Sequence, residues 1–201
     1  MATLSAAPPP WFVRAIAGLA YWLGYKRALF PGYPVPEAAI VTELCALIHA
    51  QLPNGYVLRP EERGTKFLPK GVTRPELTDL SRIDLSIWER YLPTGGNRHR
   101  NRPIFVVEVK RNSASKPRVL ADLKRLAAIV EETEGLRAFL CVASEEAGLL
   151  KLFTTPKGRL REGKYPVPET KSSWQVVALR KAAPAFSRPE LANYCCIVEV
   201  T

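Results

Sequence analysis

The chain of 201 residues is 47% hydrophobic and 24% charged, an ordinary globular composition in a chain long enough to bury a sizeable core. Its 29 basic and 19 acidic residues give a formal net charge of +10, which favours a polyanionic partner, nucleic acid before a membrane surface, unless the charge serves solubility alone. Two histidines and four cysteines without a Cys-x-x-Cys pair argue against a structural zinc site and a disulfide framework, which suits a reducing, cytoplasmic environment.

Residues 1–35 are predicted to form an N-terminal arm that contains one apolar helix. Residues 11–24 place their large apolar side chains on one helical face. The segment is short for a membrane span and is interrupted by Arg14. We therefore expect no membrane association, and we expect the helix to dock on the core or on a partner subunit, as in a homodimer or a larger complex.

A second helix is predicted from Pro36 to about Leu52. Proline is favoured in the first turn of a helix, and apolar residues recur here at helical spacing. Glu37 falls near the centre of the apolar stripe and Glu43 on its flank. An acid on the core-facing line of a helix is unusual. The alternative is that Glu37 simply complements the positive N-terminal end of the helix.

Residues 36–201 are predicted to form one domain, with its motifs in residues 36–143 and a C-terminal β extension in residues 144–201. Short apolar or alternating runs predict strands, and a 3.6-residue period predicts a helix. The predicted elements are a strand at 56–59, a long loop at 63–81, strands at 82–88 and 103–111, a helix at 117–134, a strand at 137–143, and strands near 174–180 and 194–200.

The stretch from Pro103 to Arg111 carries charges that need an explanation. It begins as an apolar, mainly β-branched and aromatic run, typical of a buried strand, and it ends with Glu108-Val109-Lys110. Because side chains alternate along a strand, Glu108 and Lys110 are predicted to point to the same side. Burying such charges is costly unless they are paired or coordinate a metal ion.

A hairpin that turns at Gly95-Gly96 would bring a second carboxylate to this strand. Asp84 and Glu108 each lie 12 residues from Gly96, and directly opposed residues of an antiparallel pair share a face. Asp84, Glu108 and Lys110 are therefore predicted to cluster on one face of the sheet, provided that the register does not slip by one residue.

Two facing carboxylates repel each other, and a divalent cation resolves the conflict. Oxygen ligands suit Mg²⁺ or Mn²⁺, with Asp84 and Glu108 as the metal ligands and a substrate phosphate beside them. The ion would activate water and neutralise the developing charge. Lys110 would orient or help to deprotonate that water, or stabilise charge on the phosphate. The arrangement suits hydrolysis of a phosphodiester.

The Glu-x-Lys triplet alone is a weak signal, because residues 162–164 and 169–171 repeat it in a turn and in a proline-flanked link. The triplet at residues 108–110 is the one that ends a buried strand and has an opposed aspartate upstream. The simpler alternative is a surface ion pair at the end of a strand, which stabilises a protein little.

The order helix, strand, Asp84 strand, Glu108-Val109-Lys110 strand, helix, strand resembles the PD-(D/E)XK, or restriction-endonuclease-like, nuclease superfamily over roughly residues 36–143. The resemblance implies an α/β fold with an αβββαβ core, a mixed central sheet flanked by helices, to which the N-terminal helix and C-terminal strands are additions. It also implies Mg²⁺-dependent cleavage of DNA, with RNA left open, and a helical active-site glutamate, Glu37 or failing that Glu43. The residue before Asp84 is not the proline of the motif name, a departure that the superfamily accepts.

The cations around this motif are predicted to contact nucleic-acid phosphates, although for any single one of them a solvated loop residue is the safer interpretation. They lie before the Asp84 strand, at the hairpin tip and after the Glu-x-Lys strand: Lys66, Lys70, Arg98, Arg100, Arg102, Arg111 and Lys116. The predicted function is a metal-dependent DNA endonuclease, in restriction, phage defence, recombination or mobile-element processing. The alternative is a non-catalytic module that binds nucleic acid or protein on a nuclease-like fold.

Overall fold

The computed structural model describes residues 7–94, 98–145, 151–157, 159–182 and 193–201. Within these ranges the chain forms three helices and a seven-stranded mixed sheet. The elements are α1 (Pro10–Leu29), α2 (Glu37–Gln51), β1 (Tyr56–Arg63), β2 (Arg82–Tyr91), β3 (Arg100–Arg111), α3 (Lys116–Glu132), β4 (Arg137–Ser144), β5 (Tyr165–Pro166), β6 (Ser173–Ala182) and β7 (Asn193–Val200). The predicted α/β class is confirmed, and the chain has a helix in its N-terminal part and strands in its C-terminal part.

The sheet has the strand order β1-β2-β3-β4-β7-β6-β5. Strands β3 and β4 are parallel neighbours, and α3 is the crossover that parallel pairing requires. The other described neighbours are antiparallel. Strand β3 therefore lies inside the sheet, and its C-terminal half has β2 as its neighbour on one side and β4 on the other.

The core consists of two apolar clusters, one on each face of the sheet. Helices α1 and α2 cover the first cluster, which contains Val107 and Val109, and α3 covers the second, which contains Val106. The vicinal cysteines follow the same alternation, since Cys195 lies in the first cluster and Cys196 in the second. Covered on both faces, β3 needs the continuous apolar run that its sequence supplies.

Helix α1 docks on the molecule's own core through one face, as predicted. Phe12, Ile16, Leu19 and Leu23 are fully buried, and the Phe12 ring packs edge-on against Phe105 with 4.8 Å between centroids. The helix continues five residues beyond the predicted end at residue 24, because the first helix-breaking proline comes later in the sequence. Among the described helices, none combines the length and apolar character needed to cross a membrane.

Two predicted boundaries near the candidate site were wrong. Strand β1 continues to Arg63 instead of ending at residue 59, because it lies at the edge of the sheet, where Pro60 is tolerated. The predicted loop at 63–81 accordingly begins with a short 3-10 helix at Gly64–Phe67. The predicted turn at Gly95-Gly96 lies outside the described residues.

The register of β2 on β3 agrees with the predicted hairpin close to the charged residues. Leu85 pairs with Val107 and Ile87 with Phe105, as a hairpin centred on Gly96 requires. Beyond Ile87 the pairing shifts by one residue, so that Trp88 pairs with Pro103. This β-bulge lies between the candidate site and the hairpin tip, and the predicted register therefore holds only on the site's side of it.

Candidate active site

Asp84 lies near the start of β2, beside the C-terminal half of β3. Its Oδ2 atom accepts a hydrogen bond from the backbone N–H of Val109 over 2.7 Å. One step along the strand from the Leu85–Val107 pair brings Asp84 level with Glu108. Burial raises the pKa of Asp84, and the Val109 N–H and the charge of Lys110 partly oppose that rise. The predicted proximity of the two strand carboxylates is thus present.

Glu108 is a buried carboxylate, with only 1% of its surface exposed. Its Oε1 atom accepts hydrogen bonds from Arg125 Nε at 3.1 Å and from Arg125 Nη2 at 3.0 Å. Burial raises the pKa of Glu108 well above its usual value, and the negative charge of Asp84 raises it further, while Arg125 opposes both effects. The repulsion expected between the two carboxylates therefore acts on Glu108.

Lys110 bridges the end of β3 to both helical layers. Its Nζ atom donates a hydrogen bond to Glu37 Oε1 at 2.9 Å and lies 3.5 Å from Asp122 Oδ2. Burial alone would lower the pKa of Lys110, but the hydrogen bond to Glu37 and the charges of Asp122, Glu37 and Asp84 more than offset burial, so the pKa is raised. Lys110 is therefore a positively charged ammonium at neutral pH.

Glu37, in the first turn of α2, is the helical acid that reaches this cluster. Besides Lys110, it contacts the backbone N–H of Arg111, which donates to Glu37 Oε2 over 3.2 Å. Glu43 lies six residues further along the helix, on a different face, and is half-buried. Glu37 also occupies the helix end where negative charge is favoured, so the two readings of this residue are compatible.

Two further members of the cluster, Asp122 and Arg125 on α3, were missed by the sequence analysis. Asp122 is 2% exposed, and its Oδ1 accepts a hydrogen bond from Arg125 Nη2. Burial raises the pKa of Asp122, against the charges of Arg125 and Lys110. A signal was present: Asp122 follows Val119 by three residues and precedes Leu126 by four, which places it on the buried stripe of the helix.

A cleft of about 780 Å³ opens between α2 and β1, and Asp84 and Glu37 line it. Three carboxylates contribute to its lining, the third being Glu61. No lysine or arginine lies among the described residues that line it. The cleft gives solvent access to Asp84. An anionic ligand that entered it would be repelled unless a cation neutralised these acids.

The residues predicted to bind nucleic acid fall into two groups. Three of them form ion pairs: Lys66 with Glu62, Arg102 with Glu89, and Arg111 with Glu145. The other four, Lys70, Arg98, Arg100 and Lys116, are exposed and form no ion pair with another residue that the structure describes. An ion pair shares the charge that a phosphate contact would use, so these four are better placed for phosphates. The binding role of all seven stays a prediction.

The donor atoms present suit a hard divalent cation held by two protein ligands. The described residues include no group of three or more His, Cys, Asp or Glu side chains arranged to hold a metal ion. Mg²⁺ needs only one or two carboxylates, because it keeps several waters and takes substrate phosphates as further ligands. Arg125 engages one oxygen of Glu108, and the Val109 N–H engages one oxygen of Asp84. Each carboxylate has a second oxygen, and the side chains of Asp84 and Glu108 lie within hydrogen-bonding reach of each other, so the two residues that would hold such an ion are adjacent.

No protein-family model, no curated protein and no solved structure matches the chain. Any function must be argued from the side chains described above.

Proposed function

We propose that the protein is a metal-dependent nuclease that hydrolyses phosphodiester bonds of DNA, as a member of the restriction-endonuclease-like group that its motif resembles. The observation that carries the proposal is the meeting of Asp84, Glu108 and Lys110 at the end of β3, where Glu37 of α2 contacts Lys110 over 2.9 Å. The site and the superfamily motif that it resembles share two carboxylates on neighbouring strands, an ammonium on the same strand as one of them, and an acid on a helix.

In this proposal Asp84 and Glu108 hold Mg²⁺ or Mn²⁺. Such an ion, when bound, activates water and offsets negative charge on the phosphate. Because the pKa of Lys110 is raised, we assign this residue the role of a fixed positive charge and not that of a proton acceptor. Its ammonium would contact a phosphate oxygen and stabilise the charge that develops there. Glu37 would act as a positioning residue that orients this ammonium.

Charge supports DNA as the substrate. The chain carries +10 formal charges, while the cleft beside Asp84 is lined by acids. The net positive charge therefore attracts a phosphodiester to the molecule, whereas the acids that line the cleft repel it there. A divalent cation bound by these acids would turn that repulsion into attraction. This combination predicts that cleavage depends strictly on the cation.

The test is cleavage of supercoiled circular DNA with Mg²⁺ or Mn²⁺, with EDTA as the blank. We expect nicked or linear products from the parent protein and a loss of at least about 100-fold in rate for Asp84→Asn and Lys110→Ala. The matched controls are Asp79→Asn and Lys151→Ala, which change exposed residues of the same types. Equal cleavage by Asp84→Asn and the parent protein would refute the proposal. A parallel assay on labelled RNA decides between the two nucleic acids.

A second candidate function is a non-catalytic binding module. The observation that favours it is the Arg125–Glu108 pair, in which a guanidinium already compensates the carboxylate that the metal would use. Titration calorimetry with Mg²⁺ separates the two functions. Heat that disappears in Asp84→Asn supports the nuclease. Salt-sensitive DNA binding without carboxylate-dependent uptake of the ion supports the module.

A further inference from the structure

The outward side of α1 and the turn after it carry an unusual concentration of exposed rings. Tyr21, Tyr25 and Tyr33 are 68%, 61% and 76% exposed, and Leu29 and Phe30 are about half exposed. These five account for most of the eight large hydrophobic side chains that are exposed among the described residues. Concentrated exposed apolar surface marks an interaction site more often than scattered residues do.

Folding does not explain these rings. The opposite face of α1 already supplies the contacts that hold the helix to the core, through Phe12, Ile16, Leu19 and Leu23. Tyr21, Tyr25 and Leu29 follow one another at four-residue intervals, which places them about 6 Å apart along the helix axis, on one face. We call the set Tyr21, Trp22, Tyr25, Phe30 and Tyr33 the α1 aromatic surface.

The segment that carries the α1 aromatic surface is itself positively charged. Residues 1–36 contain no aspartate or glutamate and three cations, Arg14, Lys26 and Arg27. The Lys26 ammonium lies over the rings of Trp22 and Phe30, at 5.6 Å and 5.9 Å from their centroids. Rings interleaved with cations suit a partner that offers flat π-faces together with negative charge, which is the chemistry of a nucleic acid with unpaired bases.

Two recesses lie between the α1 aromatic surface and residues next to the candidate active site. The first, of about 260 Å³, is lined by Trp22, Phe30 and Tyr33 and continues to Pro36, the residue before Glu37. The second, of about 300 Å³, is lined by Arg27, by Arg111, the residue after Lys110, and by Glu145, which pairs with Arg111. A strand bound on the rings would therefore have sequence neighbours of Glu37 and Lys110 within its reach.

We infer that the α1 aromatic surface binds single-stranded nucleic acid by stacking of its bases and presents that strand to the site at the end of β3. The second half of this inference rests on the proposed nuclease function, whereas the first half does not. An anionic membrane surface also attracts tyrosine, tryptophan and basic side chains, and vesicle binding is therefore one of the competing outcomes of the test. Self-association of the chain through this surface is the other.

The test is fluorescence anisotropy with a labelled oligothymidine in EDTA, where binding is measured without cleavage. We expect the double variant Tyr25→Ala/Tyr33→Ala to weaken binding by about tenfold or more, the loss typical of removing base–aromatic stacking. Tyr25→Phe/Tyr33→Phe keeps the rings and should bind as the parent does. Leu80→Ala, at a residue that is 87% exposed, is the control for loss of exposed apolar area elsewhere. Far-ultraviolet circular dichroism checks that each variant is folded.

The outcomes separate this inference from the proposed function. If the parent cuts no DNA but the alanine variant loses oligothymidine binding, the nuclease proposal fails and single-strand binding stands. If the parent cuts DNA and the alanine variant binds oligothymidine equally well, the inference fails alone. It also fails if the rings prove necessary only for self-association, in sedimentation velocity, or only for binding to anionic phospholipid vesicles.

Discussion

Lys110 Nζ lies 2.9 Å from Glu37 Oε1, although 73 residues separate the two in sequence. The contact joins the end of an inner strand to the first turn of a helix. The position of each partner is favourable on its own. The negative charge of Glu37 complements the N-terminal end of α2, and Lys110 lies at the point where β3 becomes only partly buried. The orientation of the ammonium is thus determined by two elements.

Replacing Glu37 tests whether it positions Lys110. Glu37 raises the pKa of Lys110, so in Glu37→Gln the ammonium should lose its proton at a lower pH than in the parent protein. We expect the alkaline limb of the pH–rate profile for DNA cleavage to move to lower pH. The loss of rate at neutral pH should be smaller than the roughly 100-fold or greater loss expected for Lys110→Ala.

Glu43→Gln is the matched control on the same helix, and its pH–rate profile should coincide with that of the parent. If Glu37→Gln and Glu43→Gln lowered the rate equally and neither moved the alkaline limb, Glu37 would have no positioning role.

Removing Arg125 should destabilise the fold. Arg125 contacts Glu108 and Asp122, both buried. Arg125→Ala would leave Glu108 without its cation and Asp122 with Lys110 alone. Breaking a buried pair in this way costs about 3–5 kcal/mol, which urea unfolding at neutral pH would measure. In the Arg125→Ala/Glu108→Gln double variant part of that loss should be recovered, since one of the uncompensated charges is gone. Additive effects would contradict a direct interaction.

Glu108 should make the metal-free protein less stable as the pH rises. Its folded-state pKa is raised, so its stabilising contribution is full below the unfolded value of about 4.3 and is lost as the pH passes through the folded value. Glu108→Gln cannot ionise. We therefore expect this variant to melt at a higher temperature than the parent at neutral pH in EDTA, with the difference vanishing below about pH 4. Glu162→Gln, in an exposed Glu-x-Lys triplet, should show no such difference.

Mg²⁺ should raise the melting temperature of the parent protein at neutral pH. An ion that binds only the folded state at about 100 times its Kd adds about 2.7 kcal/mol, which is roughly 5–10 °C for a chain of this size. Asp84→Asn should lose the shift, and Asp79→Asn should keep it. Differential scanning calorimetry gives the comparison, and an undiminished shift in Asp84→Asn would place the ion elsewhere.

The part of the site that lies on β2 and β3 was predictable because its signals are local. An apolar run that ends in Glu108-Val109-Lys110 and an alternating run that contains Asp84 each predict a strand. The register followed from equal distances to Gly96, and it held because the β-bulge at Ile87 lies beyond the charged pair. The pairs Leu85–Val107 and Ile87–Phe105 agree with a turn centred on Gly96, although Gly95 and Gly96 lie outside the described residues.

The contribution of α3 was not predictable in the same way. Asp122 does fall on the buried stripe of the helix, but its three-residue spacing from Arg125 is on most helices that of an exposed ion pair, which stabilises a protein little. Their importance depends on the parallel crossover from β3 to β4, which turns this face of α3 toward Glu108. Similarly, the extension of β1 past Pro60 depends on that strand being at the sheet edge, which the local sequence does not reveal.

The packing of α1 bears on how the chain acquires its structure during synthesis. This helix contacts β6 and β7, the last two strands of the described sheet. On the ribosome α1 emerges long before those strands, so the part of its apolar face that they cover stays exposed after Phe12 has found Phe105 and Phe139. We expect a nascent chain stalled before β7 to bind chaperones through α1 and to gain full protease resistance only when β7 has been made and released.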